Sequence, residues 1–298
     1  MRHMKRRFFI KTAAISTTAS VVPLSVLSAT ETQRCKSEVL NPDPLKIGVM
    51  TYTIAKDWDI ETIINNLTEA GYQSVELRTT HAHKVEVNLT KEQRAGVKKR
   101  FKDSSLEVIN LASGFQYHSP DPLELKKNIE GTKEYILLAH DVGAIGIRVF
   151  GNALPADVPE EVTEKQIGKA LAEVGEFGYN NGVEVRICVH GSKTNKPSVI
   201  KKIIDYSHSP HVYVNWNCNP EDTEENGLEH NFNLLKDRIR GVHMHELWMA
   251  EYPYRQLFKL LSGIGYQGYC NAEIDGNTDP VRLLRYYRAL FLAYQDAI

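Results

Sequence analysis

Short apolar runs alternate with longer amphipathic segments along most of this chain. The runs have the length of buried strands, and in the segments between them apolar residues recur every three or four positions, as in a helix. The predicted strands are 46–52, 74–78, 107–112, 145–150, 184–189, 211–216, 241–245 and 268–274. The predicted helices are 60–70, 91–102, 122–142, 164–180, 197–206, 221–236, 254–263 and 280–297. Eight such units predict an α/β fold in which a parallel sheet closes into a single (β/α)8 TIM barrel.

Glycine follows several of the predicted helices, at Gly71, Gly143, Gly182 and Gly265. These are positions at which a left-handed residue ends a helix before the next strand begins. An open doubly wound sheet is the alternative architecture for such an alternation. Because no glycine-rich dinucleotide-binding motif follows any predicted strand, the pattern favours the barrel.

The amino terminus has the pattern of an export signal. The pair Arg6-Arg7 precedes a modestly apolar stretch at 12–26, which is too short and too polar for a membrane span. It resembles the twin-arginine signal, which predicts export to the periplasm, although an uncleaved basic leader is the alternative. The chain then divides into a signal peptide at 1–29, a linker at 30–44 and the barrel at 45–298.

Composition narrows the class of partner. With 298 residues, 42% hydrophobic and 24% charged, the chain has the composition of a globular protein with a large core. Its formal net charge of −1 gives no basic surface for nucleic acid. We therefore expect a small-molecule substrate, no nucleic acid and no stable membrane insertion, while an oligomer remains open.

Side chains suited to metal binding or proton transfer end the strands in the second half of the chain. Glu273 ends the eighth strand, where a carboxylate can bind a divalent metal or accept a proton; a salt bridge at the rim is the alternative. His243 and His245 share a face because alternate residues of a strand point the same way. One can bind a metal and the other can contact substrate or carry a proton.

Two further strand ends carry candidate groups. His190 ends the fifth strand, on the face that Cys188 also occupies, and suits hydrogen bonding to a sugar hydroxyl or proton transfer. Asn217, at the end of the sixth strand, can give a neutral carbonyl oxygen to a metal or bind the substrate. Ends of several strands meet at the carboxyl-terminal mouth of such a barrel, so these groups are predicted to converge there.

The first half of the chain offers candidates for substrate binding. Glu76 and Arg78 share a face at the end of the second strand, and His81 follows in the next loop. These residues can close the far side of a sugar pocket, but an ion pair between Glu76 and Arg78 fits the pattern equally well. Arg148, on the fourth strand, can bind an anionic group.

The four cysteines, Cys35, Cys188, Cys218 and Cys270, are widely spaced. This spacing fits neither a zinc knuckle nor a dense disulfide scaffold. Because Cys188 and Cys218 end adjacent predicted strands, a disulfide between them is one alternative, and it would remove Cys188 from metal chemistry.

At these strand ends the chain resembles the xylose-isomerase-like TIM-barrel superfamily of sugar isomerases and epimerases, which also includes DNA-repair endonucleases. The resemblance covers essentially the whole predicted barrel. It implies a divalent metal ion, Mn, Mg or Zn, held by His243, Glu273 and Asn217, with His190 matching the histidine that follows the fifth-strand acid. Cys188 stands where the superfamily has that acid, a glutamate. This departure removes a hard oxygen ligand and one of two bases, and a thiolate favours zinc.

The resemblance implies an enzyme that acts on a sugar or keto-sugar by removing a proton next to a carbonyl, with Glu273 as the base. Such a step serves an isomerase or epimerase, and it is also the first step of a keto-glycoside lyase. Two alternatives remain. One is a non-catalytic sugar-binding or accessory barrel with a degenerate metal site. The other is an endonuclease-like phosphodiester hydrolase, which would need a basic groove and a richer metal cluster.

Overall fold

The computed structural model describes residues 44–296 and shows within them a closed barrel of eight parallel strands, each followed by a helix. The predicted TIM barrel is confirmed. The predicted signal peptide, and the predicted linker up to residue 43, lie outside the described residues. A helix of the length and apolarity needed to cross a membrane does not occur in 44–296.

The strands pair in sequence order, and β1 pairs with β8 to close the ring. They are β1 (Lys46–Met50), β2 (Ser74–Arg78), β3 (Glu107–Gln116), β4 (Gly146–Ala153), β5 (Glu184–Ser192), β6 (Val212–Trp216), β7 (Ile239–Met244) and β8 (Tyr269–Ala272). The helices are α1 (Ile60–Ala70), α2 (Lys91–Lys102), α3 (Pro122–Val142), α4 (Glu160–Asn180), α5 (Pro197–Ser207), α6 (Gly227–Leu235), α7 (Tyr254–Gly263) and α8 (Pro280–Asp296).

Helix ends follow the local signals in the sequence. Gly71 and Gly143 adopt left-handed conformations, with φ of 78° and 82°, directly after α1 and α3.

Helix α6 is shorter than its predicted range, 221–236. A 3-10 turn over Pro220–Thr223 precedes it, and Gly227, with φ of 84°, interrupts the backbone between the two. An amphipathic pattern continues through such a break, so periodicity alone does not show it.

The interior of the barrel is polar, whereas branched aliphatic residues fill most barrels of this type. The buried polar side chains on its strands are Ser74, Glu76, Asn110, Ser113, Arg148, Arg186, Asn215, His243 and Asn271. Glycine makes room for them on neighbouring strands. A Cβ atom at Gly48 would lie 2.2 Å from both Asn271 Oδ1 and Ser74 Oγ. One at Gly241 would lie 2.4 Å from Asn215 Oδ1.

Replacing Gly48 by Ala is therefore expected to destabilise the barrel. The added methyl group overlaps two buried polar side chains, and overpacking a core in this way costs about 1–3 kcal/mol. The free energy of unfolding in urea measures the loss. Gly96→Ala is the matched control because Gly96 lies on the exposed face of α2, with no heavy atom within 4 Å of the new Cβ. We expect this control to be neutral or slightly stabilising. Equal losses in the two variants would contradict the packing argument.

The alternative of a disulfide between Cys188 and Cys218 is wrong. Both are buried free thiols, and so is Cys270; Cys35 lies outside the described residues. Cys188 faces the barrel interior, where its Sγ lies 3.5 Å from Asn217 Oδ1. Cys218 belongs to the hydrophobic core instead. Adjacent residues at a strand end point to opposite sides, so Cys218 points away from the interior that Asn217 occupies.

Candidate active site

His243, on β7, lies at the centre of a buried charge network that spans the barrel. Its Nε2 is 3.0 Å from Oε2 of Glu76, and its Nδ1 is 3.2 Å from Oε2 of Glu273, which directly follows β8. The side chains of His243 and Glu76 are 1% and 0% exposed, whereas that of Glu273 is 17% exposed. Glu273 is therefore the member of this network that reaches the open mouth.

Mutual attraction determines the charges of the three groups. Burial alone would lower the pKa of His243, but the charges of Glu76 and Glu273 raise it well above its usual value. Burial would likewise raise the pKa of Glu273, but the charge of His243 and its hydrogen bond lower it to about 2. Complete burial would raise the pKa of Glu76, but the charge and hydrogen bond of His243, together with the charges of Arg148 and Arg186, lower it. In this network the imidazole is a cation and both carboxylates are anions.

Glu76 was predicted to bind substrate, but its side chain is fully buried inside the barrel, below the mouth. Its Oε2 accepts hydrogen bonds from His243 and from Nδ2 of Asn271, the latter at 3.1 Å. The alternative ion pair with Arg78 is not formed, since the salt bridge of Glu76 in the described part of the chain is to His243. Sequence reasoning assigned no role to Asn271, although it shares a face with Glu273 two positions later.

Asn217 supplies an oxygen beside the imidazole. Its Oδ1 lies 3.3 Å from His243 Nδ1 and 3.5 Å from Cys188 Sγ. The orientation of this amide is set by Asn219, whose Oδ1 accepts a hydrogen bond from Asn217 Nδ2 at 3.0 Å. Asn219 is held in turn, because its Nδ2 donates to the backbone oxygen of Val189. Asn219 is a positioning residue that sequence reasoning missed.

The loop after β6 is anchored by a second buried network. Asp222 Oδ2 accepts hydrogen bonds from the backbone N–H of Asn219 at 3.0 Å and from the hydroxyl of Tyr252 at 2.8 Å. Trp216 Nε1 donates to the same hydroxyl at 2.9 Å, and its ring packs edge-on against Phe232 of α6. Trp216 therefore packs against the outer helices. The network connects the loops after β6 and β7 to the amide that faces His243.

Three of the side chains that the family resemblance implies as metal ligands lie near His243 Nδ1. Four ligands in tetrahedral zinc coordination, about 2.0–2.3 Å from the metal, stand roughly 3.3–3.8 Å apart. Glu273 Oε2, Asn217 Oδ1 and Cys188 Sγ are spaced in about this way, with Nδ1 as the fourth donor. Glu76 on the opposite ring nitrogen is the kind of partner that a metal-binding histidine usually has. Within 44–296, however, no group of three or more His, Cys, Asp or Glu residues is arranged to hold a metal, and this includes His243, Glu273 and Cys188.

Arg148 and His190 face the mouth from β4 and β5. The side chain of Arg148 is buried, and its guanidinium carbon lies 4.0 Å from the centre of the Phe150 ring. That ring in turn lies 5.1 Å from the imidazole of His190, which is exposed. Partial burial of the imidazole and the nearby charge of Arg148 lower the pKa of His190. His190 is therefore a neutral imidazole at neutral pH.

The remaining predicted substrate contacts lie at the rim. Arg78 is half-buried at the end of β2, and His81 in the following loop places Nδ1 3.4 Å from the hydroxyl of Thr51. His245 is half-buried just after β7, and its backbone N–H donates to the hydroxyl of Tyr254. The structure thus places Arg78, His81 and His245 around the mouth above the His243 network.

The sequence profile of the xylose isomerase-like TIM barrel family matches residues 64–290. The chain belongs to this family. No curated protein sequence matches it significantly. Solved structures with the same fold include an L-ribulose 3-epimerase, at TM-score 0.73 and 18% identity, with 85% of this chain and 95% of that chain covered. The 3-keto-D-glucoside 4-epimerase YcjR from E. coli gives TM-score 0.70 and 17% identity, covering 84% of this chain and 99% of that chain.

A third similar structure is IolI with a bound zinc atom, at TM-score 0.66 and 10% identity, with 85% of this chain and 97% of that chain covered. At such identities the likeness shows the fold. Together with the family profile, it confirms the resemblance that the strand ends of the sequence indicated. This xylose isomerase-like barrel places His243 and Glu273 together at the end where active sites of TIM barrels form.

Proposed function

We propose that this protein is an enzyme that removes a proton from the carbon next to the carbonyl of a sugar or keto-sugar, with Glu273 as the base. The observation that carries the proposal is the position of Glu273, which is hydrogen-bonded to the buried His243 yet partly open to the mouth. The charge and hydrogen bond of His243 keep the pKa of Glu273 low, so its carboxylate is ionised and has a free lone pair to accept a proton. The similar epimerases are named for ribulose and for a keto-glucoside, which supports this substrate class.

His190 is proposed as the second proton-transfer group. It lies on β5 two positions after Cys188, and its lowered pKa favours the neutral imidazole, which can accept a proton. A thiol at Cys188 cannot replace a carboxylate base in the same way, because a neutral thiol is a poor proton acceptor. Glu273 with His190 can therefore support isomerisation. Glu273 also supports elimination, as a keto-glycoside lyase requires: it takes the proton from the carbon next to the carbonyl, the glycosidic C–O bond breaks, and the protonated Glu273 returns that proton to the departing oxygen.

We propose that His243, Glu273 and Asn217 hold a divalent metal, with Cys188 as the fourth donor. A bound metal would act as a Lewis acid that polarises the substrate oxygens. The thiol favours zinc over magnesium or manganese, and the zinc atom in the similar IolI structure supports this choice. The buried carboxylate of Glu76 holds the His243 ring in place from the opposite side, which keeps Nδ1 directed at the other donors.

The test of this function is uptake of deuterium from heavy water into a keto-sugar, followed by NMR. We expect exchange at the carbon next to the carbonyl with the wild-type protein. Chelator treatment should slow exchange, and zinc should restore it. Elemental analysis of the wild type and of His243→Ala tests the proposed metal site. The variant should contain markedly less zinc than the wild type. Absence of exchange with a panel of keto-hexoses and keto-glucosides would contradict the proposed chemistry, and it would favour the non-catalytic alternative.

A further inference from the structure

Two arginines face the mouth at the same level of the barrel. Arg78 on β2 pairs in register with Ala112 on β3, and Ala112 pairs in register with Arg148 on β4. Their backbones are therefore separated by two strand spacings, about 10 Å, which the two long side chains can span. The residue between them is Ala112, whose side chain is a single methyl group.

Neither guanidinium has an acidic partner. Of the ion pairs formed within 44–296, none involves Arg78 or Arg148. Arg148 is 4% exposed, and its buried Nε has no hydrogen-bond partner in this part of the chain. A buried arginine without a carboxylate is costly unless a ligand supplies the missing charge. By contrast, Arg186, further down the same barrel, is paired with Glu184 at 2.6 Å.

The fold holds both arginines in position. The backbone N–H of Arg78 donates to Thr51 Oγ1 at 2.9 Å, and its backbone oxygen accepts from His83 Nε2 at 2.7 Å. His83 must carry its proton on Nε2, because Nδ1 accepts the backbone N–H of Val85. Arg148 is fixed by its contact with the Phe150 ring. Such preorganisation is typical of a binding site, since less side-chain entropy is lost when a ligand binds.

The net charge of the side chains at the mouth indicates what charge a ligand should carry. Of the two carboxylates, Glu76 is hydrogen-bonded to His243 and Asn271, so Glu273 is the one that shares the mouth with Arg78 and Arg148. Two guanidinium charges against one carboxylate leave one positive charge in excess. A sugar carboxylate would neutralise it. A phosphate monoester, with a charge of about −1.5 to −2 at neutral pH, would leave excess negative charge beside Glu273.

We propose that the substrate is an acidic sugar, and that Arg78 and Arg148 together bind its carboxylate. This inference rests on the proposed function, because it names the substrate class of the same site. The planar guanidinium groups match a carboxylate in geometry and can each form charge-assisted hydrogen bonds to it.

The test is calorimetric titration of the full chain with D-glucuronate and D-glucose, which share a ring and differ in the carboxylate, and with D-glucose 6-phosphate. We expect the wild type to bind glucuronate at least about 10-fold more tightly than glucose, as charge-assisted hydrogen bonds to arginine allow. Arg78→Gln and Arg148→Gln should each reduce this preference to below about three-fold, with unchanged affinity for glucose. Arg240→Gln is the control, since Arg240 lies near the start of β7, at the opposite end of the barrel, and should keep the full preference.

Several results would overturn the proposal. These are equal affinity for glucuronate and glucose, no measurable glucuronate binding, a full preference in both variants, or tighter binding of the phosphate. Should Arg148→Gln fail to fold by circular dichroism, Arg148→Lys keeps the charge but loses the planar group, and it should weaken glucuronate selectively. Exchange in neutral keto-sugars without a preference for acid would refute this inference and leave the proposed function intact. A preference for glucuronate without deuterium exchange in any keto-sugar would refute the proposed function and leave the carboxylate-binding inference intact.

Discussion

Glu273→Gln is expected to slow deuterium exchange into the substrate by about 10²- to 10⁴-fold, the usual contribution of a positioned general base. Glutamine keeps the size and the hydrogen-bonding oxygen of the side chain but cannot accept a proton from carbon. The hydrogen bond from His243 Nδ1 can still form, so the variant should fold normally. Exchange rates at saturating keto-sugar, together with circular dichroism of the two proteins, measure the effect.

Glu246→Gln provides the matched control for this loss. Glu246 lies at the same end of the barrel, three positions after His243, and accepts a hydrogen bond from Trp248 Nε1 rather than from the central imidazole. We expect its exchange rate to stay close to that of the wild type. If Glu273→Gln kept most of its activity, or if both variants lost the same amount, Glu273 would not be the base.

Glu76→Gln is expected to cost about 3–5 kcal/mol in the free energy of unfolding, because removing one partner of a buried ion pair leaves the other charge uncompensated. The change leaves His243 with Glu273 as its remaining anion. It also leaves a neutral amide to accept the two hydrogen bonds that Glu76 Oε2 receives. Urea unfolding at neutral pH, monitored by tryptophan fluorescence, measures the loss.

An exposed ion pair of the same chemical type supplies the comparison. Glu69 pairs with Arg285 at 2.8 Å, and both side chains are more than half exposed. Water and salt already solvate these charges, so Glu69→Gln should leave the unfolding midpoint nearly unchanged. A Glu76 variant as stable as the Glu69 variant would show that the buried network does not contribute to the stability of the fold.

Much of the fold could be predicted from local patterns. The ends of α1, α2, α3 and α7 lie at the predicted residues. At α1, α2 and α3 the side chains of Asp59, Thr90 and Asp121 cap the first turn by accepting hydrogen bonds from nearby backbone N–H groups. Strand ends were less regular. Strand β7 begins at Ile239 and ends at Met244, since pairing with its neighbours determines its limits. Such pairing depends on residues far away in the sequence.

The candidate site was predictable in part for the same reason. Alternation along a strand correctly placed Glu273 on one face with Asn271, and His243 on the face that points inward. It could not give the depth of Glu76 inside the barrel, because depth depends on the register of all the strands. Nor could it show that Glu76 contacts a histidine 167 positions later in the chain. The local sequence pattern shows which face of a strand a side chain occupies. Its contact partner on the opposite side of the barrel can be identified only from the closed structure.

The polar interior has a consequence for how this barrel can change over evolutionary time. A core of aliphatic side chains tolerates exchange of one aliphatic residue for another, as long as the total side-chain volume is conserved. Here groups such as the Glu76 carboxylate and the Asn271 amide depend on particular neighbours, and the absence of a side chain at Gly48 and Gly241 makes room for Asn271 and Asn215. A single substitution leaves a buried polar atom without its hydrogen-bond partner or creates a steric clash. Divergence inside this ring should therefore proceed through paired replacements, and homologues should differ here in linked sets of residues.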